Sequence, residues 1–309
     1  MTSRIWPVMT LALAALVGCQ SVPQDSHTMT PAPTSPFGVL VMAHGGGPTW
    51  DAAIQEAVAP LKTRQPTAIA FGMADADTMA AAVRELEQQG VRRIGVVRLF
   101  VSGESFRTET EQVLGLREGA PPADSVATTA DHHSNHVGDG HHNMAFYRIN
   151  SQARFVLSED GLLDAPEMAS ILASRARALS QQPSMEDVLI LAHGPGDDGE
   201  NQRWLDKLRG HAAALRTVGP FNRVQVATLR EDWPEARAKA EAEIRAFVQQ
   251  ASAEGRTTLV LPFRVFGFGP YKKVLEGLSY RADGHGLLPH PAITTWLQQQ
   301  ADMLAAASE

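Results

Sequence analysis

Two histidines occupy matching places in this 309-residue chain. His44 ends the run Val39-Leu40-Val41-Met42-Ala43-His44-Gly45-Gly46-Gly47, and His193 ends Val188-Leu189-Ile190-Leu191-Ala192-His193-Gly194-Pro195-Gly196; six of the nine positions are identical. An imidazole just past a buried strand can ligate a metal or pass a proton, and open α/β sheets gather their ligands at that end. The glycines behind it let the backbone turn sharply and leave the ring uncovered. His44 and His193 are therefore the first candidates for catalysis and for metal ligation. A second candidate is compositional: Asp131 to Asn143 reads Asp-His-His-Ser-Asn-His-Val-Gly-Asp-Gly-His-His-Asn and holds His132, His133, His136, His141 and His142, five of the eleven histidines. Such a tract suits Zn, Ni, Co or Cu, with Asp131 or Asp139 as an oxygen partner, and its irregular spacing among small polar residues fits a mobile loop better than a rigid site. Arg230, in Thr228-Leu229-Arg230-Glu231-Asp232, is the candidate to bind a ligand carboxylate. His290, between Pro289 and Pro291, reads as readily as part of a turn as a ligand, and His27 and His211 read as bystanders.

These side chains need a frame, and the apolar pattern supplies one. Strands are expected over 37–43, 68–71, 94–101, 188–192, 224–229 and 258–265, and helices over 77–89, 105–116, 168–179, 201–215, 234–254 and 293–307. Continuous apolar strands alternating with helices point to parallel sheets covered on both faces. Val96–Val101 also lines up with Val260–Val265, so the chain reads as a duplicated α/β unit.

The N-terminus carries a different signal. Arg4 precedes an apolar run, Val8 to Val17, too short to cross a bilayer of about 30 Å, and the run ends at Gly18-Cys19. Cys19 is the only cysteine, so it has no partner for an internal disulfide; its place at the cleavage point marks a lipidation site. The expected organisation is a lipoprotein signal peptide at 1–18, a Ser/Thr/Pro-rich tether at 19–36, a first domain at 37–150 with the histidine-rich loop at 131–143, and a second domain at 151–309. The protein is then expected in the cell envelope, facing the periplasm, on the outer membrane as Gln20 after the cysteine suggests, with the lipid as its sole membrane contact. The formal net charge is -7, and loss of Arg4 makes it more negative, which disfavours nucleic acid as a partner.

The duplicated strand-Ala-His-Gly signature, with an α/β unit behind each copy, resembles the sirohydrochlorin chelatases, or class II tetrapyrrole chelatases, over most of Phe37 to Gln300. Gly286-Leu287-Leu288-Pro289-His290-Pro291 also resembles a recurrent C-terminal element of exported relatives. Members of that family are lyases that insert cobalt, iron or nickel into a modified porphyrin ring. The resemblance implies two tandem chelatase-like α/β domains, each a mostly parallel sheet flanked by helices. It implies a divalent metal (Co, Ni, Fe or Zn) and a tetrapyrrole as partners, with the metal on His44 and, through the repeat, on His193. It further implies a glutamate after the second strand, where this chain reads Met73 and Arg230, and a histidine after the third, where it reads Gly103-Glu104-Ser105 and Gly267-Phe268-Gly269-Pro270. Glu104 is then the expected oxygen ligand. Two functions remain open on this reading: metal insertion, or metal capture by a protein that keeps the scaffold without the catalysis.

Other chemistries fit poorly. His44-Gly45-Gly46-Gly47 mimics an esterase oxyanion loop, but the nearest Gly-x-Ser-x-Gly string, Gly103-Glu104-Ser105-Phe106-Arg107, lacks its second glycine. Neither glycine turn supplies Gly-x-Gly-x-x-Gly or a Walker lysine.

Overall fold

The computed structural model describes residues 36–126 and 144–308. Cys19, the signal-peptide and tether segments, and His132, His133, His136, His141 and His142 lie outside them. No helix among the described residues is long and apolar enough to cross a membrane.

In chain order the first half runs β1 (Phe37–Ala43), α1 (Pro48–Lys62), β2 (Thr67–Phe71), α2 (Ala76–Gln88), β3 (Arg93–Leu99), α3 (Arg107–Val113), α4 (Ala123–Val126) and β4 (Arg154–Leu157). The second runs α5 (Glu167–Leu179), β5 (Glu186–Ala192), α6 (Asp198–Ala212), β6 (Arg223–Thr228), α7 (Pro234–Ala253), β7 (Thr257–Phe263), α8 (Tyr271–Val274), β8 (Tyr280–Arg281) and α9 (Pro291–Ala307). Each half builds a four-stranded parallel sheet, ordered β2-β1-β3-β4 and β6-β5-β7-β8. The expected α/β class is met, and the two sheets share one register: Ala43 pairs with Phe71 and Leu99, and Ala192 with Thr228 and Phe263.

Strand alternation sorts the core into three layers. Val39, Val41 and Ala43 join Val188, Ile190 and Ala192 in one continuous central core, filled by α1, α5, α6 and α9 between the sheets. Leu40 and Met42 face outward onto α2, and Leu189 and Leu191 outward onto α7. Several helix starts are written locally. Pro48, Pro234 and Pro291 each open a helix where a missing N–H costs nothing. Asp75, just before the expected helix start at 77, caps α2 by accepting from Asp77 N and Thr78 N, worth about 1 kcal/mol.

Three corrections concern organisation. The expected division near residue 150 falls before β4, which pairs with β3 and so belongs to the first sheet. The last helix also crosses over: α5 packs on β7 within its own half, but α9 packs on β3 and α1 of the first. The second half therefore lends a helix to the first. Finally, the helix expected over 105–116 shortens to α3, because Phe106 takes a left-handed conformation (φ 53°) and the preceding residues form a loop.

Candidate functional site

His44 and His193 leave β1 and β5 at the same sheet level, and both line one cleft of about 300 Å³. Their local geometry is duplicated. His44 Nδ1 lies 2.6 Å from the Gly45 carbonyl and His193 Nδ1 lies 2.7 Å from the Gly194 carbonyl. A carbonyl only accepts, so Nδ1 carries the proton in each ring and Nε2 is turned to the cleft, the arrangement that a metal-binding imidazole needs. A tryptophan flanks each ring, Trp50 at 5.5 Å from His44 and Trp233 at 6.2 Å from His193. The glycines make room for them: a Cβ on Gly46 would stand 2.3 Å from the Trp50 ring, and one on Gly196 2.2 Å from the Trp233 ring.

Beyond this shared frame the two ends differ. At His193, Nε2 lies 3.1 Å from Asp232 Oδ2 and 3.9 Å from Glu231 Oε2. Burial works against a charge on this ring, but the hydrogen bond to Asp232 and the field of Glu231 outweigh it and raise its pKa above the ordinary imidazole value. Glu231 is held in turn by Arg264, whose guanidinium lies over the ring of the fully buried Tyr271. At His44 the surroundings are aromatic: Trp50, Phe100 and Phe106 line that side of the cleft. The loop that carries Phe106 is fixed by Arg98, a buried guanidinium that donates to the carbonyls of Gly103 (2.7 Å), Ser158 (2.8 Å) and Ser105 (3.0 Å). Burial, and then the nearby Arg107, lower the pKa of Arg98 to about 10.

Two expected site residues sit elsewhere. Glu104 is bound by Arg203 of α6 through two hydrogen bonds of 3.0 and 2.5 Å, which hold its carboxyl below the usual range, so it is committed to an ion pair rather than offered beside His44. Arg230, expected to bind substrate, is 8 % exposed and turned away; its guanidinium donates to Asp198 at 2.9 Å and to the Gly196 carbonyl. The cause is backbone conformation. Arg230 is left-handed (φ 59°), and the next two residues, Glu231 and Asp232, line the cleft in its place. The carboxylate that the sequence reading finds missing after the second strand of the second half is thus present, one residue on. Counting from the Ala43–Phe71 and Ala192–Thr228 pairs aligns Met73 with Arg230, both left-handed, and Ala74 with Glu231, so the first half has no such carboxylate.

Two other described histidines are structural. His211, read as a bystander, is buried; its Nε2 lies 2.9 Å from the Leu163 carbonyl, its ring stacks on Phe263, and burial lowers its pKa. His290 caps α9, accepting from Ala292 N at 3.2 Å. Among the described residues, no group of three or more His, Cys, Asp and Glu side chains is arranged to hold a metal ion as it stands.

The chain matches no protein-family model, and no curated protein is significantly similar to it in sequence. Solved structures do match. SirB from Bacillus subtilis with Fe3+ is 14% identical, with 89% of this chain and 99% of that one covered at a TM-score of 0.59. The sirohydrochlorin chelatase SirB from Bacillus subtilis subspecies spizizenii in complex with cobalt is 12% identical, with 88% and 96% covered at 0.55. The fold is chelatase-like. A multi-domain protein from Deinococcus radiodurans, with structural similarity to chelatases and two additional novel domains, is 20% identical at a TM-score of 0.51; 87% of this chain is covered, spanning 55% of that protein's length. The likeness covers the two parallel four-stranded sheets and the helices that flank them.

Proposed function

We propose that this protein binds a divalent transition metal (Co, Ni, Fe or Zn) in the cleft, on Nε2 of His193 with Asp232 and Glu231, and with His44 opposite. The carrying observation is the convergence of two carboxylates on one imidazole nitrogen. With metal–ligand distances near 2.1 Å, two donors on a tetrahedral ion stand about 3.4 Å apart. The separations at His193, 3.1 and 3.9 Å, straddle that value, so small side-chain adjustments close the site. In the metal-free state the Nε2 proton occupies the position between imidazole and carboxylate, and an arriving ion displaces it. Support also comes from the metals named for the SirB structures, Fe3+ and cobalt.

Two uses of the metal follow. Insertion into a tetrapyrrole is the reading closest to the SirB likeness. Capture without insertion is favoured by the cleft itself. At about 300 Å³ it is at the small end of ligand pockets, and Arg264, the lone Arg or Lys among its described lining residues, is already paired with Glu231. A ring bearing several carboxylates has no unpaired cation to meet there. The reading also includes a lipid on Cys19, anchoring the protein to the periplasmic side of the outer membrane, and the histidine tract at 131–143 as a collecting segment for the same ions.

Calorimetric titration with Co2+, Ni2+, Fe2+ and Zn2+ tests metal binding. The wild type is expected to bind at least one of them, and His193→Ala to lose most of that affinity. A wild type that binds none sinks the proposal. Sirohydrochlorin with Co2+ or Ni2+ then separates the two uses: an absorbance change faster than the protein-free control supports insertion, and no acceleration leaves capture. Cys19→Ser should abolish lipid incorporation in cells fed labelled palmitate.

A further inference from the structure

The edges of the two sheets are not equally guarded. β8 is two residues long and β4 four. β2 has five, but Thr67, Ala68 and Ala70 are buried. β6 runs for six residues with only Thr228 buried, and among the described residues no strand pairs with its outer side. Its register with β5 is unbroken, so no bulge bends it away. It carries neither Lys nor Pro, and its one charge, Arg223, is turned inward onto the buried Asp187 at 2.6 Å. Val224 beside it is left 42% exposed. An edge this long without such guards is a template for another strand. We propose that it takes the β6 of a second copy, antiparallel across a twofold axis normal to the sheet, so that two second-half sheets join into one. The metal reading plays no part in this.

Charge selects the occupant and its direction. α6 lies along one side of β6, acidic in its first turn at Asp198 and Glu200 and basic in its last at Arg209, with Arg216 just beyond. Arg209 and Arg216 therefore flank Val224 near the start of β6, and Asp198 flanks Thr228 at its end. Arg209 is shared with Asp206 and Asp198 with Arg230, but Arg216 is exposed and the Asp198 side chain is 96% exposed, so both can face a neighbour. On the α7 side, the end of β6 is flanked by Glu235 and Glu243 against Lys239. An antiparallel twofold sets each basic end beside the other copy's acidic end, and does so twice; a parallel pairing sets like beside like and does not close. The main chain can follow, because alternate residues of β6 direct N–H and C=O away from β5. The carboxyl ends of the paired strands then point in opposite directions, so the two clefts open at opposite ends of the dimer.

Sedimentation velocity over a concentration series tests it, with Cys19→Ser throughout so that no lipid on that residue can associate the copies. A monomer–dimer equilibrium is expected. Val224→Lys, at an exposed side chain, should weaken it by roughly 10-fold or more, since each copy brings a charge to the pairing edge. Arg216→Glu should weaken it by roughly 3-fold, the scale of an exposed ion pair. The Cys19→Ser chain has no other cysteine, so single cysteines report proximity. Gln225→Cys, at the middle of β6, should be joined to its twin by a short bis-maleimide, and Met303→Cys, 52% exposed on α9, should not. A chain that stays monomeric at every concentration overturns the inference, whatever else the edge then binds. So does a dimer that neither Val224→Lys nor Arg216→Glu weakens, or one that cross-links at 303 and not at 225. If Val224→Lys fails to fold, the cross-linking pattern decides alone.

Discussion

The carboxyl ends of β1 and β5 are the same construction with different chemistry. Both present a histidine fixed through Nδ1, backed by glycine and flanked by tryptophan. Around His193 stand Glu231, Asp232 and Arg264; at the matching positions of the first half stand Ala74, Asp75 and Phe100. Even the shared aspartate is used differently, since Asp75 accepts from Asp77 N, Thr78 N and Ala145 N rather than facing a histidine. Backbone geometry has survived duplication while the charged groups have collected at one end, so the cleft has an electrostatic floor on one side and an aromatic wall on the other.

The contrast can be broken by transplanting charge. Ala74→Glu places a carboxylate at a site 3% exposed with Phe100 in the position of its partner, and should cost about 3 kcal/mol of stability in urea unfolding. Adding Phe100→Arg should recover part of the loss; no recovery would mean that the halves are less alike than their register implies. Next in size, His193→Ala should lower metal affinity by roughly 100-fold and His44→Ala by roughly 10-fold, the span expected between a ligand with charged support and one without. Equal losses in calorimetry would remove the asymmetry. Asp232→Asn, at a partly exposed side chain, should weaken binding by roughly 10-fold and change stability by less than about 0.5 kcal/mol.

The smallest expected effect lies outside the cleft. His211 is buried with a lowered pKa, so the unfolded chain takes up a proton near pH 6.5 while the folded chain still resists it. Its contribution is complete above that pH and declines as pH falls toward the folded value. Replacing His211 with Gln should flatten the stability profile over that interval, and an unaltered slope would show that another group governs it.

Much of the frame was readable before any coordinates. Phe37–Ala43 is a strand to the residue, because an unbroken apolar run bounded by a glycine turn leaves few alternatives. The histidine pair was visible for the same reason. Glu231 was not. Which side chain faces a cleft after a strand depends on a single left-handed residue, and nothing in the type of Arg230 announces φ 59°. Arg230 was therefore expected to face the ligand, and the chain turns it underneath. Glu104 failed as a ligand for another reason: its partner, Arg203, lies 99 positions away, beyond any local pattern. The apolar stripe of α9, through Ile293, Trp296, Leu297 and Leu304, declares a buried face but not which sheet it covers.

That last helix has a wider consequence. With α9 of the second half packed on β3 and α1 of the first, the two halves are closed around one continuous interior. Hinging the halves apart would tear a common interior, so the span between the two imidazoles is a built dimension rather than an adjustable one. Whatever enters must be met by rotating side chains, and a gene cut between β4 and α5 would leave the first fragment without α9 over β3 and the second with that helix face uncovered.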